Sequence, residues 1–251
     1  MQQTIYYRIL LLANIHPAVT GFCPGKSVSD NARVHLGRKN VLKVDLHDFF
    51  PSIRSPRVRA AFREMGYSRP IAKVLAELCC LRCCLPQGAP TSPALSNIIA
   101  YPMDKKMMAL AGEYGLVYTR YADDLTFSGD YLPKDEVLVR IHRIIREEGF
   151  TMNVKKTRFL SEHKRKIITG VSVSSGKKMT LPKVKKREIR KNVHYVLTKG
   201  LVGHQEHIGS TDPVYLKRLL GSLCYWRSIE PDNRYAVSYT HLRAHETRRH
   251  L

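Results

Sequence analysis

Acidic residues are scarce in this sequence. Its 251 residues hold 21 aspartates and glutamates against 42 lysines and arginines, so the formal net charge is +21. No apolar run approaches the roughly 20 residues that a membrane-spanning helix needs, and the first residues lack the basic-then-apolar order of a secretory signal. These absences exclude a membrane partner and favour a cytoplasmic protein. The basic excess predicts an anionic polymer as partner, with nucleic acid as the first candidate.

Cysteine and histidine offer few credible metal sites. Four of the six cysteines lie together between Cys79 and Cys84. Four thiolates can complete a zinc site, but such sites draw ligand pairs from separated segments. We interpret these cysteines as small apolar residues that end a buried helix in a reducing compartment. His204 and His207 have metal-like spacing, but the sequence predicts a surface loop there.

Two of the few acidic residues are adjacent. Asp123 and Asp124 lie between residues 116–121 and 125–128, two runs whose aromatic and β-branched residues favour strands. A turn between these runs places both carboxylates at the tip of a hairpin, where like charges repel unless a cation neutralises them. Asp45 ends another predicted strand, so the sequence predicts a metal site built from three carboxylates.

Three carboxylates in a basic protein are typical of two-metal phosphoryl transfer. Two Mg²⁺ ions about 4 Å apart activate an attacking hydroxyl and stabilise the leaving oxygen. Carboxylate oxygens suit Mg²⁺, with Mn²⁺ as an alternative. The carboxylates must come from neighbouring strands, so we expect Asp45 and Asp123 to lie on adjacent strands.

The remaining pattern alternates helical and strand-like segments. Helices are predicted over residues 5–15, 56–84, 92–107, 134–148, 183–191 and 214–226. Further strands are predicted over residues 150–154 and 167–173. We expect Ser92 to be an N-cap before Pro93 and Gly149 to end its helix as the C′ residue. The order strand, helix, paired strands, helix, strand predicts an α+β split βαβ unit with a ferredoxin-like antiparallel sheet.

Four ordered segments resemble successive motifs of reverse transcriptases. They are residues 44–53, 85–93, 121–124 and 149–157. Together they are far more specific than an isolated pair of aspartates. Asn31-Ala32-Arg33-Val34-His35 resembles the Asn-Ala-x-x-His signature of the retron subfamily, and Ile168-Thr169-Gly170 resembles its Val-Thr-Gly triplet. The chain is identified as similar to retron-type reverse transcriptases over residues 3–231.

The resemblance implies a role for each matching residue. The implied metal ligands are Asp45, Leu46, Asp123 and Asp124. Lys156 matches a lysine that donates a proton to the pyrophosphate leaving group. Phe50 matches a steric gate against the ribose 2′-OH, and Gln87 and Gly88 match the loop that holds the incoming nucleotide and template. The implied RNA and duplex contacts are Asn31, His35, Thr169, Gly170, Lys183, Lys186, Arg187 and Arg190.

The resemblance also implies a domain organisation. It predicts a right-hand polymerase with residual fingers over residues 1–40 and a palm over 41–175, which includes a helical segment at 55–90. A partial thumb is expected over 176–236. Residues 237–251 resemble a translated sequencing adapter and are expected to be a non-native tail. We expect a gene fragment, because a fingers hairpin is expected before the first segment and the thumb is cut short.

The implied activity is the copying of a structured non-coding RNA into single-stranded DNA. Its partners would be the RNA template and primer, the DNA product and deoxynucleoside triphosphates. The subfamily primes from a 2′-OH of that RNA and commonly serves anti-phage defence with an effector protein. Two alternatives remain: a group II intron reverse transcriptase or maturase, and a catalytically incomplete nucleic-acid-binding fragment.

Overall fold

The computed structural model describes residues 1–240. The helices are α1 Gln2–Arg8, α2 Val28–Arg33, α3 Phe49–Ser52, α4 Ser55–Glu64, α5 Arg69–Cys79, α6 Ser92–Ile99, α7 Tyr101–Glu113, α8 Lys134–Glu147, α9 Lys183–His207, α10 Tyr215–Ile229 and α11 Arg234–Tyr239. The strands are β1 Asn40–Asp45, β2 Val117–Tyr121, β3 Asp124–Gly129, β4 Arg158–Leu160, β5 Ile167–Ile168 and β6 Val171–Ser172. Within this part of the chain, no helix has the length and apolar character needed to cross a membrane.

The central sheet has the strand order β2-β3-β1-β4. Every neighbouring pair in it is antiparallel. Helices α3 to α7 connect β1 to β2, and α8 connects β3 to β4. This connectivity confirms the predicted α+β split βαβ unit with a ferredoxin-like sheet.

Alternation along β1 gives the sheet two different faces. Successive side chains of a strand point to opposite sides. Leu42 and Val44 therefore pack into the main core with the helices, and Lys43 and Asp45 point to the other side. The polar side chains of β1 are thus held on the face that the connecting helices leave uncovered.

Two hydrophobic cores flank the sheet. The first contains the inward residues of the sheet together with α4 to α8. The second joins α9, α10 and α11 to the small β5–β6 hairpin, and it also includes Ala32 of α2 and Val41 of β1. Trp226 is fully buried in this second core. The hairpin at residues 167–172 therefore packs with the carboxy-terminal helices.

The prediction of a strand over residues 150–154 is wrong. Only Met152 forms an isolated bridge there, to Leu46, and the pairing strand is β4. The reason is a turn at Asn153, whose carbonyl accepts hydrogen bonds from the N–H groups of Lys156 and Thr157. The predicted strand over 167–173 is likewise divided into β5 and β6, because Thr169 and Gly170 have φ angles of 45° and 84° and form a hairpin turn.

Two helix boundaries also differ from the predictions. Ser92 is the first helical residue of α6 and does not cap it; neither its hydroxyl nor that of Thr91 has a hydrogen-bond partner. The helix predicted over 183–191 continues as α9 to His207 through a kink at Gly200. His204 is therefore buried in a helix and bonds to the hydroxyl of Tyr215 at 2.7 Å, so the predicted surface loop is wrong.

The first predicted helix and the expected non-native tail also differ from the predictions or lie partly outside the described residues. The segment predicted helical over residues 5–15 contains the end of α1 and a 3₁₀ turn at Leu10–Leu12. Helix α11 includes residues 237–239, the first part of the expected non-native tail. Residues 241–251 of that tail lie outside the described residues.

Candidate active site

The three candidate carboxylates are brought together by strand register. Asp45 at the end of β1 is the direct antiparallel partner of Asp124 at the start of β3. Side chains of such partners lie on the same face of the sheet. The N–H of Leu46 donates to the carbonyl of Asp123 at 3.0 Å, which ties the hairpin turn to the end of β1. Asp45 and the Asp123–Asp124 pair therefore come from adjacent strands, as expected.

A small basic groove contains two of these carboxylates, Asp45 and Asp124. It encloses about 240 Å³ and is lined by Lys43, Val44, Asp45, Asp124, Lys156 and Arg158. Burial raises the pKa of Asp124, and the nearby carboxylates of Asp123 and Asp45 raise it further, while Lys43 opposes this rise. The positive side chains thus face the one place in the sheet where negative charge is concentrated.

Asp45 has one paired and one unpaired oxygen. Its Oδ1 accepts a hydrogen bond from Lys156 Nζ at 3.1 Å. Its Oδ2 is buried and has no hydrogen-bond partner. A buried carboxylate oxygen without a partner is costly, and a hard divalent cation is a ligand that would satisfy it. The donor set of carboxylate oxygens therefore fits a divalent metal ion.

Residues 1–240 contain no group of three His, Cys, Asp or Glu side chains already arranged around a common metal position. In this arrangement the positive charge beside Asp45 comes from Lys156. The hydrogen bond to Asp45 raises the pKa of Lys156, and the charges of Asp123 and Asp124 raise it further. Lys156 is therefore a protonated donor at neutral pH, positioned by the Asn153 turn whose N–H donates to the Asp45 carbonyl at 2.7 Å.

A buried ion pair supports the hairpin turn. Arg120 and Asp104 have no exposed side-chain surface, and their two hydrogen bonds measure 2.8 and 2.7 Å. The Nη1 of Arg120 also donates to the carbonyl of Ala122 at 3.0 Å and to Asn97 at 3.1 Å. Sequence reasoning missed Asp104 and Asn97. An arginine at an inward position of an apolar strand is the signal that required a buried partner.

The loop before α2 packs directly on the same turn. Thr20 N–H donates to the Arg120 carbonyl at 2.9 Å. A Cβ on Gly21 would lie 2.6 Å from the backbone nitrogen of Ala122, so only glycine fits this approach. Phe22, with a φ of 59°, lies beside Tyr121. Sequence analysis did not single out these loop residues, because their partners are about a hundred positions away in the chain.

The predicted nucleotide-binding residues differ in their surroundings. Phe50 is half-buried, with its ring centroid 5.5 Å from that of Phe49 and 6.1 Å from that of Phe22. Gln87 and Gly88 are exposed in the loop that precedes α6. Gly88 has a φ of 83°, which explains a glycine in that loop. The steric-gate and nucleotide-loop roles stay predictions.

Asn31 and His35 are placed inside the protein. Both are fully buried. The ring nitrogens of His35 bond to Ser128 at 2.7 Å and to Thr119 at 2.8 Å, and Asn31 accepts from Thr20 at 2.8 Å. This position differs from the predicted RNA-contacting surface. His35 instead attaches the segment after α2 to strands β2 and β3, while Asn31 bonds to Thr20 and to Thr169. The RNA-contacting role of the two residues stays a prediction.

Thr169 and Gly170 form the β5–β6 turn. The Thr169 hydroxyl donates to the carbonyl of Val28 at 3.2 Å and accepts from the amide of Asn31 at 3.4 Å. Gly170 lies close to the hydroxyl of Tyr225 on α10. The turn thus connects α2 to the carboxy-terminal helices, and its RNA contact stays a prediction.

The basic residues of α9 divide into two groups. Lys183, Arg187 and Arg190 are exposed and follow one stripe at helical spacing. Lys186 is half-buried and pairs with Glu230 at 2.7 Å, so it is neutralised within the helical region. The guanidinium of Arg190 also lies over the ring of Trp226 at 5.3 Å. The exposed stripe retains the charge expected of a duplex-binding surface.

The fold and site define a class of protein. A split βαβ sheet carries two carboxylates at the β2–β3 turn and a third at the end of the adjacent strand β1. Cations line the same face, which is the arrangement of a polymerase palm. The family model for reverse transcriptase (RNA-dependent DNA polymerase) matches residues 1–195. The chain therefore belongs to the reverse transcriptase family.

Curated relatives agree with the retron type. The chain is 37% identical over 210 residues to the retron Ec86 reverse transcriptase of Escherichia coli, covering 83% of this chain and 65% of that protein. It is 36% identical over 238 residues to the retron Mx65 reverse transcriptase of Myxococcus xanthus, covering 87% and 53%. The chain thus spans between about half and two thirds of the length of these two relatives.

Among solved structures, the chain is similar to apo telomerase from Candida tropicalis truncated from the C-terminal domain. The TM-score is 0.47 at 11% sequence identity, covering 68% of this chain and 41% of that one. This score is too low to establish a shared topology. The family assignment rests on the sequence matches.

Proposed function

We propose that this chain is the catalytic portion of a retron-type reverse transcriptase that extends a primer strand on an RNA template with deoxynucleotides. The observation that carries the proposal is the register of β1 and β3, which pairs Asp45 with Asp124 beside Asp123. Membership of the reverse transcriptase family supports this reading of the carboxylates.

Asp45, Asp123 and Asp124 would hold two Mg²⁺ ions, with Leu46 beside them at the end of β1. When bound, these ions would activate the primer hydroxyl and stabilise the leaving oxygen of the incoming triphosphate. Proton transfer would fall to a residue of the chain. Lys156 keeps its proton beside Asp45 and would donate it to the departing pyrophosphate.

Three residues would shape the nucleotide position. The ring of Phe50 would exclude a ribose 2′-OH, while Gln87 and Gly88 would approach the nucleotide and template from their exposed loop. The exposed stripe Lys183, Arg187 and Arg190 would follow the product duplex through its phosphates. A structured non-coding RNA as natural template, and anti-phage defence with an effector protein, stay predictions from the resemblance.

Primer extension tests the proposal. The full chain is incubated with an RNA template, an annealed DNA primer, Mg²⁺ and deoxynucleotides, and single-nucleotide incorporation is measured. We expect incorporation by the unaltered chain and a loss of about 100-fold or more in Asp123→Asn, because a charge that acts on the reacting groups is removed.

Asp135→Asn is the matched control, since Asp135 is 93% exposed at the start of α8 and outside the groove. It makes the same chemical change and should leave the rate unchanged. Equal incorporation by Asp123→Asn and the unaltered chain would overturn the proposal. Substituting Ca²⁺ for Mg²⁺ should also stop incorporation while leaving template binding intact, which separates binding from catalysis.

A further inference from the structure

A second basic groove lies between α4 and α5. It encloses about 530 Å³ and is lined by Arg59, Arg63, Arg69, Pro70 and Lys73. The groove shares no lining residue with the one around the aspartates. All four charged residues are exposed. None of them belongs to the motifs that the sequence analysis used.

The charge of this groove is largely uncompensated. Arg59 and Arg63 lie one turn apart on α4, and Arg69 and Lys73 lie one turn apart on α5. Like charges at this spacing destabilise a helix. Among the described residues, the three arginines form no ion pair, and Lys73 has only Glu77 at 3.9 Å. Four cations therefore line the groove against one carboxylate.

Packing does not explain these side chains. Helix α4 buries Val58, Ala61 and Phe62. Helix α5 buries Ala72, Ala76 and Cys79 on its own inner face. The four cations are exposed and are not among the buried residues of either helix, so packing of the helices does not require their charge. Their clustering costs stability, and a bound anion would remove that cost.

We propose that this groove binds the phosphodiester backbone of a nucleic acid strand. Arginine presents a planar fork of donors that matches phosphate oxygens. Residues four apart on a helix are about 6 Å apart along its axis, so each helix extends its two cations along a line, which suits a strand with several phosphates. The lining has no aromatic ring for stacking and no carboxylate or amide to accept from a base. The groove thus holds the backbone without reading the base sequence.

This contact lies outside the catalytic groove and does not depend on polymerase activity. It would anchor a part of the nucleic acid other than the reacting primer end. The two proposals fail in different ways. If the groove does not bind RNA, a groove variant binds RNA as the unaltered chain does. If the proposed polymerase function is wrong, the unaltered chain incorporates no nucleotide.

The test compares the salt dependence of RNA binding. The full chain and the triple variant Arg59→Gln/Arg63→Gln/Arg69→Gln are titrated against a labelled RNA hairpin with a single-stranded extension, at several KCl concentrations. Each phosphate contact contributes about 0.7 to 0.9 to the slope of log affinity against log salt. We expect the triple variant to lower the slope by about 2 and to retain single-nucleotide incorporation at saturating primer–template.

A matched triple variant controls for net charge. Lys105→Gln/Arg143→Gln/Arg146→Gln removes three exposed cations from α7 and α8. It should change the slope by less than half as much. An equal change in both triple variants would overturn the proposal, because the effect would then follow net charge.

Folding and ligand class are checked separately. Thermal unfolding of the groove variant should occur at the same or a higher temperature, because repulsion between its cations is removed. Poly-glutamate is the competing polyanion. If the groove variant loses poly-glutamate binding as strongly as RNA binding, the groove recognises acidic polypeptides and the proposal fails.

Discussion

Arg120 donates a hydrogen bond to the backbone carbonyl of Ala122 at 3.0 Å. A guanidinium with no exposed surface thereby holds the residue that precedes Asp123. Ala122 has a φ of 57°, which is uncommon for a residue other than glycine. The hairpin tip therefore depends on a buried ion pair for its shape.

Asp104→Asn should destabilise the protein strongly. The substitution keeps the size of the side chain but leaves the buried charge of Arg120 without its partner, which costs about 3–5 kcal/mol in the free energy of unfolding. Chemical denaturation followed by circular dichroism measures this change. The exposed control Asp135→Asn should alter the free energy by less than about 1 kcal/mol. An unchanged unfolding midpoint in Asp104→Asn would contradict the role of the pair.

Gly21→Ala should reduce activity by displacing the hairpin turn. The new Cβ would lie 2.6 Å from the Ala122 nitrogen and 3.1 Å from backbone atoms of Tyr121, and backbone atoms cannot move aside cheaply. We expect a loss of about 1–3 kcal/mol in stability and a lower rate of primer extension. Gly112→Ala is the control, because nothing lies within 4 Å of its Cβ in α7. It should stabilise the protein by about 0.5–1 kcal/mol and leave the rate unchanged.

Phe50→Val should relax the choice of sugar. If the Phe50 ring excludes the 2′-OH, its shortening should raise the kcat/KM for ribonucleotides relative to deoxynucleotides by about 10- to 100-fold. Single-nucleotide incorporation with each triphosphate gives this ratio. Tyr131→Val shortens an aromatic side chain that is 77% exposed and should leave the ratio as it is. No change in Phe50→Val would exclude the steric-gate role.

His35→Gln should weaken the dependence of the free energy of unfolding on pH below pH 6.5. Burial, assisted by Arg38, lowers the pKa of His35 to about 3. Above pH 6.5 the imidazole is neutral in both the folded and the unfolded protein. Below pH 6.5 the His35 imidazole is protonated in the unfolded chain but stays neutral in the folded one. The free energy of unfolding therefore falls by about 1.4 kcal/mol per pH unit as the pH drops toward 3.

The difference between the two proteins isolates this effect. The free energy of unfolding is measured by denaturation at pH 7.5, 6.0 and 5.0. The unaltered chain should lose more stability than His35→Gln over this range, whereas the loss that other groups cause is common to both. Parallel profiles would show that His35 is protonated in the folded protein.

The strands that carry the candidate carboxylates were predictable because their signals are local. Alternation and β-branched residues define β1 and the Asp123–Asp124 hairpin, and the order of the elements defines the sheet. The strand expected over 150–154 failed because hydrogen bonds to the Asn153 carbonyl turn the chain where composition favours extension. The loop expected at His204 failed because α9 continues beyond the kink at Gly200.

The support of the site could not be derived in the same way. Asp104 precedes Arg120 by 16 residues, and nothing local pairs them. The Asn31 and His35 signature indicated a family, but only the packed structure shows that both side chains are satisfied inside the protein. Such polar partners are distant in the sequence and meet only in the packed structure, so the local sequence pattern does not reveal them.

One strand belongs to both cores. Leu42 and Val44 are buried with the helices on one side of β1, and Val41 is buried with the carboxy-terminal helices on the other. Loss of either packed region exposes part of the segment that ends in Asp45. Unfolding of the two packed regions should therefore be coupled through β1. We expect the described chain to unfold in one cooperative transition that separates Asp45 from Asp124 as the carboxy-terminal helices are lost.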